Sequence, residues 1–258
     1  MHNTNISKLL LFWYDKHKRK LPWRDINDSY KIWLSEVMLQ QTQVNTVIPY
    51  YLMWIKKYPT LSSVAESNID DLLKLWEGLG YYSRCRNFFK ACQIIVSKYN
   101  GIIPADFIKL TSLPGIGPYI AGAVLSIGFN KSQPAIDGNI NRIMFRYLGL
   151  KNQTNHNKKR VYSKLMTFIN VRPGDVIQSL MDLGSSICKH SSVDCGKCPL
   201  SGSCKAFLNG EPLLYPLPKP KKVLPIKNII AGLVRKNNKI LIVKRKKDGA
   251  LGGLWELP

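Results

Sequence analysis

The sequence predicts a mainly α-helical body followed by a short, strand-bearing tail. Three observations carry this fold class. Apolar residues recur at helical spacing through residues 5–208. No strand-like alternation of useful length occurs before residue 225. Composition then shifts abruptly at 212–222, where PLLYPLPKPKK is rich in proline and lysine.

Residues 7–15 form an amphipathic first helix, followed by a basic stretch and then Leu21-Pro22-Trp23-Arg24. In 32–44, Ile32, Trp33, Val37 and Val44 keep helical spacing, and 49–58 do so again. Helices over 69–75 and 83–99 are separated by Gly78-Leu79-Gly80-Tyr81-Tyr82. Further helices are read at 105–112, 119–128, 140–148, 158–170 and 174–187, with no internal repeat. The body is therefore 1–208, and 209–225 is an extended, polyproline-like linker. In the tail, 226–258, β-branched runs at 226–234 and 239–244 flank 235–238 as a hairpin. A lone hairpin is too small to be stable by itself. The tail is thus either the opening of a domain or an arm packed on the body.

The chain has 258 residues, 45% hydrophobic and 21% charged, which suits a folded protein and excludes a disordered one. Its 38 Lys+Arg against 16 Asp+Glu give a net charge of +22. Such an excess suits a polyanionic partner, nucleic acid foremost, unless it reflects solubility or lysine-rich codon usage. No segment has transmembrane length, so no membrane partner is expected. The apolar run 9–14 precedes its basic residues, the reverse of a signal peptide. A reducing compartment, the cytoplasm, follows as the expectation, and there clustered thiols favour a metal over disulfides.

Four of the six cysteines, Cys188, Cys195, Cys198 and Cys204, follow a C-x6-C-x2-C-x5-C spacing. Four thiolates suit a soft metal centre, iron–sulfur or zinc. Cys85 and Cys92 read as ordinary free thiols. Leu113-Pro114-Gly115-Ile116-Gly117 lies between two expected helices. Its Gly115 and Gly117 allow a phosphate close to the backbone, the helix–hairpin–helix pattern of non-specific DNA grip, or else they serve tight packing. Asp137, in Ile136-Asp137-Gly138-Asn139, either caps the next helix or supplies a carboxylate to chemistry. Glu36 sits among apolar neighbours, where its pKa should rise and suit a general acid, unless it faces solvent. Asp182 either contacts substrate or caps local structure.

Ser35-Glu36-Val37-Met38-Leu39-Gln40-Gln41-Thr42-Gln43-Val44, Trp76-Glu77-Gly78-Leu79-Gly80-Tyr81-Tyr82, Leu113–Gly117, Ile136–Asn139 and the four cysteines occur together in one order. By these motifs the chain resembles the adenine-specific DNA glycosylases of the MutY type, over about residues 5–258. The resemblance implies a helix–hairpin–helix DNA glycosylase fold with an iron–sulfur loop at 188–204, acting as a monomer on bacterial nucleoid DNA. It implies removal of adenine mispaired with 8-oxoguanine or guanine in double-stranded DNA, and a [4Fe–4S] cluster on Cys188, Cys195, Cys198 and Cys204. Glu36 would protonate adenine at N7, Asp137 would stay ionised beside the sugar, and Tyr119 would assist Asp137 and the intermediate. Gln40, Gln41 and Tyr81 would wedge into the duplex or contact bases. Gly115, Gly117 and Asn139 would contact DNA, and Arg19, Trp23 and Arg24 would line the adenine pocket. Lys189, His190, Lys197 and Lys205 would turn positive charge toward phosphates.

Endonuclease III-like relatives carry a Schiff-base lysine two residues after the second hairpin glycine. Tyr119 stands there, so a monofunctional glycosylase is expected rather than a glycosylase/lyase or a non-catalytic DNA-binding relative. The tail, ending in Gly252-Gly253-Leu254-Trp255-Glu256-Leu257-Pro258, resembles only the start of a small α/β, Nudix-like domain. A chain that stops there is expected to excise adenine with weakened preference for 8-oxoguanine.

Overall fold

A computed structural model describes residues 6–218, 228–246 and 252–258. The chain divides into two compact units that part between Pro218 and Lys219. The first unit is helical. Its helices are α1 (Ile6–His17), α2 (Ser29–Met38), α3 (Val44–Lys57), α4 (Leu61–Ala65), α5 (Ile69–Leu75) and α6 (Ser83–Tyr99). They are followed by α7 (Phe107–Thr111), α8 (Pro118–Ala123), α9 (Gly138–Leu148), α10 (Asn155–Met166), α11 (Pro173–Ser186) and α12 (Lys205–Leu208).

Apolar stripes assemble these helices around two cores. The first gathers α2 to α8, with Trp33, Trp54, Trp76 and Phe88 almost wholly buried. Two of its buried polar tips are chained together: Trp54 Nε1 donates to Tyr30 Oη at 3.1 Å, which donates to the Tyr58 carbonyl at 2.7 Å. Cys85 and Cys92 lie in this core, fully buried, as unpaired thiols. The second core joins α1 to α9, α10 and α11. Helix α8 runs between the two, since Ile120 and Ala121 belong to the first core and Ala123 to the second. Its Gly122 is required by a close approach. A Cβ there would lie 2.1 Å from the Pro134 carbonyl oxygen, so glycine lets the segment leading to Asp137 lie directly on α8.

Several boundaries differ from the sequence reading. The apolar spacing of 32–44 suggested one helix, yet α2 ends at Met38 and a turn follows, with Gln41 left-handed at φ 56°. Pro49, read as a helix start, lies inside α3. Helix α4 has no counterpart in the sequence reading, although Thr60 and Ser63 form a reciprocal cap at its start. Within the span read as extended linker, Pro212–Leu214 forms a 3₁₀ turn and Tyr215 is buried. The Tyr215 carbonyl accepts from Arg146 Nε at 2.9 Å, which holds this stretch against the helical unit.

Among its described residues the second unit forms two short antiparallel ladders. β1 (Arg235–Lys236) pairs with β2 (Lys239–Ile240), and β3 (Val243–Lys244) pairs with β4 (Trp255–Glu256). Asn237 and Asn238 form the two-residue turn, both left-handed, as a tight hairpin requires. The expected first strand fares differently: residues 226–227 lie outside the described residues, and 228–234 hold no strand.

Candidate active site

Glu36, Gln40, Gln41, Tyr81, Tyr119 and Asp137 come from four separate stretches of sequence, and the fold brings them to one cleft of about 510 Å³. Leu39, Ser83, Arg84 and Gly138 complete its lining.

Glu36 sits in the last turns of α2 and is 5% exposed. Burial pushes its carboxyl up to about 7; the Tyr119 hydroxyl and the Arg24 charge pull it down, and the nearby Asp137 charge pushes it further up. The sequence reading of a raised pKa holds. Tyr119 packs against both cores and donates its hydroxyl to Glu36 Oε2 at 2.5 Å. That bond goes to Glu36, whereas the resemblance had paired Tyr119 with Asp137.

Asp137 is the N-cap of α9, as the capping reading expects, and it also lines the cleft. Its Oδ1 accepts from the Ile140 N–H at 2.6 Å, and its Oδ2 accepts from Asn139 Nδ2 at 3.0 Å. Burial raises its pKa, and these donors together with the Arg142 charge hold it down. Asn139 in turn accepts from Arg142 Nη2 at 2.9 Å. Arg142 also donates to the carbonyls of Gly184 at 2.7 Å and Cys188 at 3.0 Å, which joins the Asp137 cap to the start of the cysteine loop.

Asp182 does not line this cleft, and its Oδ2 accepts the backbone N–H of Arg19 at 3.3 Å. It is 2% exposed on α11 and clamps two arginines. Arg24 donates to its two oxygens at 2.5 and 2.8 Å, and Arg19 Nε donates at 2.6 Å. Arg19, Trp23 and Arg24 are therefore not among the residues that line the cleft. Trp23 is buried edge-on against Tyr51, and Arg24 reaches Glu36 through its charge. The two arginines meet Asp182 more than 150 positions along the chain, a pairing no local pattern encodes.

The hairpin sits between α7 and α8. Gly115 is left-handed at φ 75°, where an L side chain is strained, and both Gly115 and Gly117 are exposed. Tyr81, left-handed at φ 47° and 57% exposed, stands at the cleft. Arg84, to which the sequence reading gave no role, lies behind the two turns that carry Gln41 and Tyr81. The only signal for it was an arginine one turn after the Gly-Leu-Gly-Tyr-Tyr stretch.

Cys188, Cys195, Cys198 and Cys204 are unpaired thiols on successive short turns after α11. Burial raises the thiols of Cys195, Cys198 and Cys204, and each also feels the charge of Cys188. The buried Arg146 donates to Cys188 Sγ at 3.1 Å and to the Lys189 carbonyl at 2.7 Å. Lys189, His190 and Lys205 are exposed, whereas Lys197 pairs with Asp194 at 2.9 Å. Among the described residues, no three His, Cys, Asp or Glu side chains converge on a single-ion site. No helix among them is long and apolar enough to cross a membrane.

Comparison with known proteins bears on this geometry. Residues 34–170 match the family model of the HhH-GPD superfamily of base excision DNA repair proteins. The adenine DNA glycosylase of Buchnera aphidicola subsp. Baizongia pistaciae is 38% identical, over 96% of this chain and 72% of that protein. The enzyme of the same name from Buchnera aphidicola subsp. Acyrthosiphon pisum is 43% identical, over 86% of this chain and 64% of that protein. Among solved structures, a thermostable thymine-DNA glycosylase superposes with a TM-score of 0.71 at 24% identity, covering 79% of this chain and 95% of that one. At that identity the likeness speaks for the fold.

Proposed function

The chain belongs to the HhH-GPD superfamily and, within it, to the adenine DNA glycosylases of base excision repair, and from that premise we propose that it hydrolyses the N-glycosidic bond of adenine mispaired with 8-oxoguanine or guanine, as a monofunctional enzyme of the bacterial cytoplasm. The observation that carries the reading is the pair of unlike carboxylates in one cleft. Glu36 is buried with one hydroxyl donor and pushed up to about 7, so a large fraction is protonated near neutral pH. Burial raises the Asp137 carboxyl above its ordinary value, while a backbone N–H, a side-chain amide and the Arg142 charge oppose that rise and favour its anion. One acid and one anion, set apart by environment, are what glycosidic cleavage requires.

Adenine inside a duplex is stacked and its glycosidic bond is inaccessible, so the nucleotide must first turn out into the cleft. Gln40, Gln41 and Tyr81 at the rim would fill the space it leaves. Glu36 then gives its proton to N7 of the base. This withdraws electrons from the C1′–N9 bond, which breaks with its pair leaving on adenine. The Asp137 carboxylate balances the positive charge that grows on the sugar, and water adds at C1′ while its surplus proton passes back to the Glu36 carboxylate. Tyr119 keeps the Glu36 carboxyl aimed through its hydrogen bond. No amine stands at position 119 to form an imine with the opened sugar.

The cysteines fit a [4Fe–4S] cluster by donor chemistry: four thiols, an arginine donor on Cys188, and mutual electrostatic influence. The same four thiols could also hold zinc, at about 2.3 Å from each sulfur, and the iron–sulfur reading rests on their spacing in the family the chain belongs to. When bound, the cluster would fix the fold of the 188–204 loop, and no step of the cleavage runs through it.

Single-turnover excision on duplexes holding A:8-oxoguanine or A:G tests the reading. Strand scission only after alkali supports it, scission without alkali would show a lyase, and no adenine release would show a DNA-binding relative.

A further inference from the structure

Opening of the base stack by the turns that carry Gln41 and Tyr81 is part of the proposed function, and the role of Arg84 rests on that reading. Arg84 opens α6 and is 8% exposed. Its Nη1 donates to the carbonyls of Val37 at 3.1 Å, Met38 at 2.8 Å and Gln40 at 2.6 Å. Its Nη2 donates to Thr42 Oγ1 at 3.2 Å and to the carbonyls of Leu79 at 3.0 Å and Gly80 at 3.1 Å. None of these six acceptors is charged.

A buried guanidinium held only by neutral oxygens is costly, and hydrophobic residues would fill the same volume more cheaply. What the guanidinium does here is geometric. Its two terminal nitrogens hold two turns from different parts of the chain, 37–42 and 79–80. They capture carbonyls that helix α2 would otherwise use to continue, so α2 stops at Met38. Each turn then presents one non-glycine residue with left-handed backbone, Gln41 at φ 56° and Tyr81 at φ 47°, and both line the cleft. Such backbone is unfavourable for a residue with a side chain and persists only where surroundings enforce it. The guanidinium carbon also lies 5.5 Å from the Tyr81 ring centroid and 5.4 Å from that of Trp76. A lysine could supply the charge but not the planar fork that spans both turns.

We propose that Arg84 is a positioning residue that locks the Gln41 turn to the Tyr81 turn, so that the two enter the duplex as one rigid wedge. Arg84 thus sets how readily adenine leaves the stack and leaves the bond-breaking step alone.

The test compares Arg84→Lys and Arg84→Ala with the unaltered chain in single-turnover excision from two substrates. One holds A:G in an intact duplex; the other holds the same adenine in an unpaired bulge, where little stacking opposes extrusion. Both variants should lose about tenfold or more on the duplex and less than about threefold on the bulge, the size expected when a positioning contact fails. The alkaline limb of the rate profile should stay where it is, because the Glu36 proton is untouched. Full duplex activity in Arg84→Lys overturns the inference. So does equal loss on both substrates, a shifted alkaline limb, or unfolding of both variants in a thermal melt, since each makes Arg84 a general structural or electrostatic residue. Gln41→Ala and Tyr81→Ala run alongside separate the premises. Undiminished duplex excision in both sinks the wedge reading and the inference with it, whereas an unaltered chain that releases no adenine sinks the proposed activity itself.

Discussion

The two halves of the helical unit each place a carboxylate at the same cleft, Glu36 buried and Asp137 half-buried, and they do so in opposite ways. The first core places Glu36 within α2, where the helix already uses its own backbone donors, so the carboxyl is left with a single hydroxyl partner. The second core places Asp137 one position before α9, where free N–H groups wait for an acceptor. The same functional group therefore becomes acid-like in one half and anion-like in the other. Position relative to a helix end, rather than residue type, assigns the roles.

That contrast can be broken most directly by neutralising either side. Glu36→Gln keeps the shape and removes the transferable proton, and single-turnover excision should fall by about 10²–10⁴-fold. Asp137→Asn keeps an N-cap acceptor and removes the charge, so excision should fall by about 10²–10³-fold while the melting temperature changes little. Equal, mild losses from both would mean that the two carboxylates are not doing different jobs.

A smaller effect sharpens the comparison through stability. The folded pKa of Glu36, about 7, lies above its ordinary 4.5. The folded state therefore holds a proton that the unfolded chain releases between these values, and stability falls as pH rises through that window. Above it, wild type carries a buried charge that Glu36→Gln lacks. The variant should gain on the order of 2–3 kcal/mol relative to wild type between pH 4 and pH 8. Urea melts at several pH values would measure it, and a pH-independent difference would contradict the burial argument.

The smallest change concerns Tyr119. Its hydroxyl lowers the Glu36 pKa, so Tyr119→Phe should move the alkaline limb of the excision profile to higher pH. A limb that stays or moves down would mean that another donor replaces the hydroxyl.

Legibility of these features follows their range along the chain. The cap at Asp137 was readable because its partners lie two and three positions away. Helices α6 and α9 were read nearly to their ends, since period and turn residues agree locally. The end of α2 was not readable, because Val44 keeps the apolar spacing and the interruption comes from Arg84, more than forty positions later. The pairing of Arg19 and Arg24 with Asp182 was not readable either, since it spans more than 150 positions.

The sequence by itself determined the helical body, the basic charge, the residue types of the cleft and the cysteine spacing, all of which are matters of composition and short-range order. Tertiary structure alone decided that Glu36 is desolvated beside Tyr119, that Asp182 neutralises Arg24, and that Arg84 joins two distant turns. The physical reason is that burial and long-range pairing set the free energy of a charge, and neither exists until the two cores close around it.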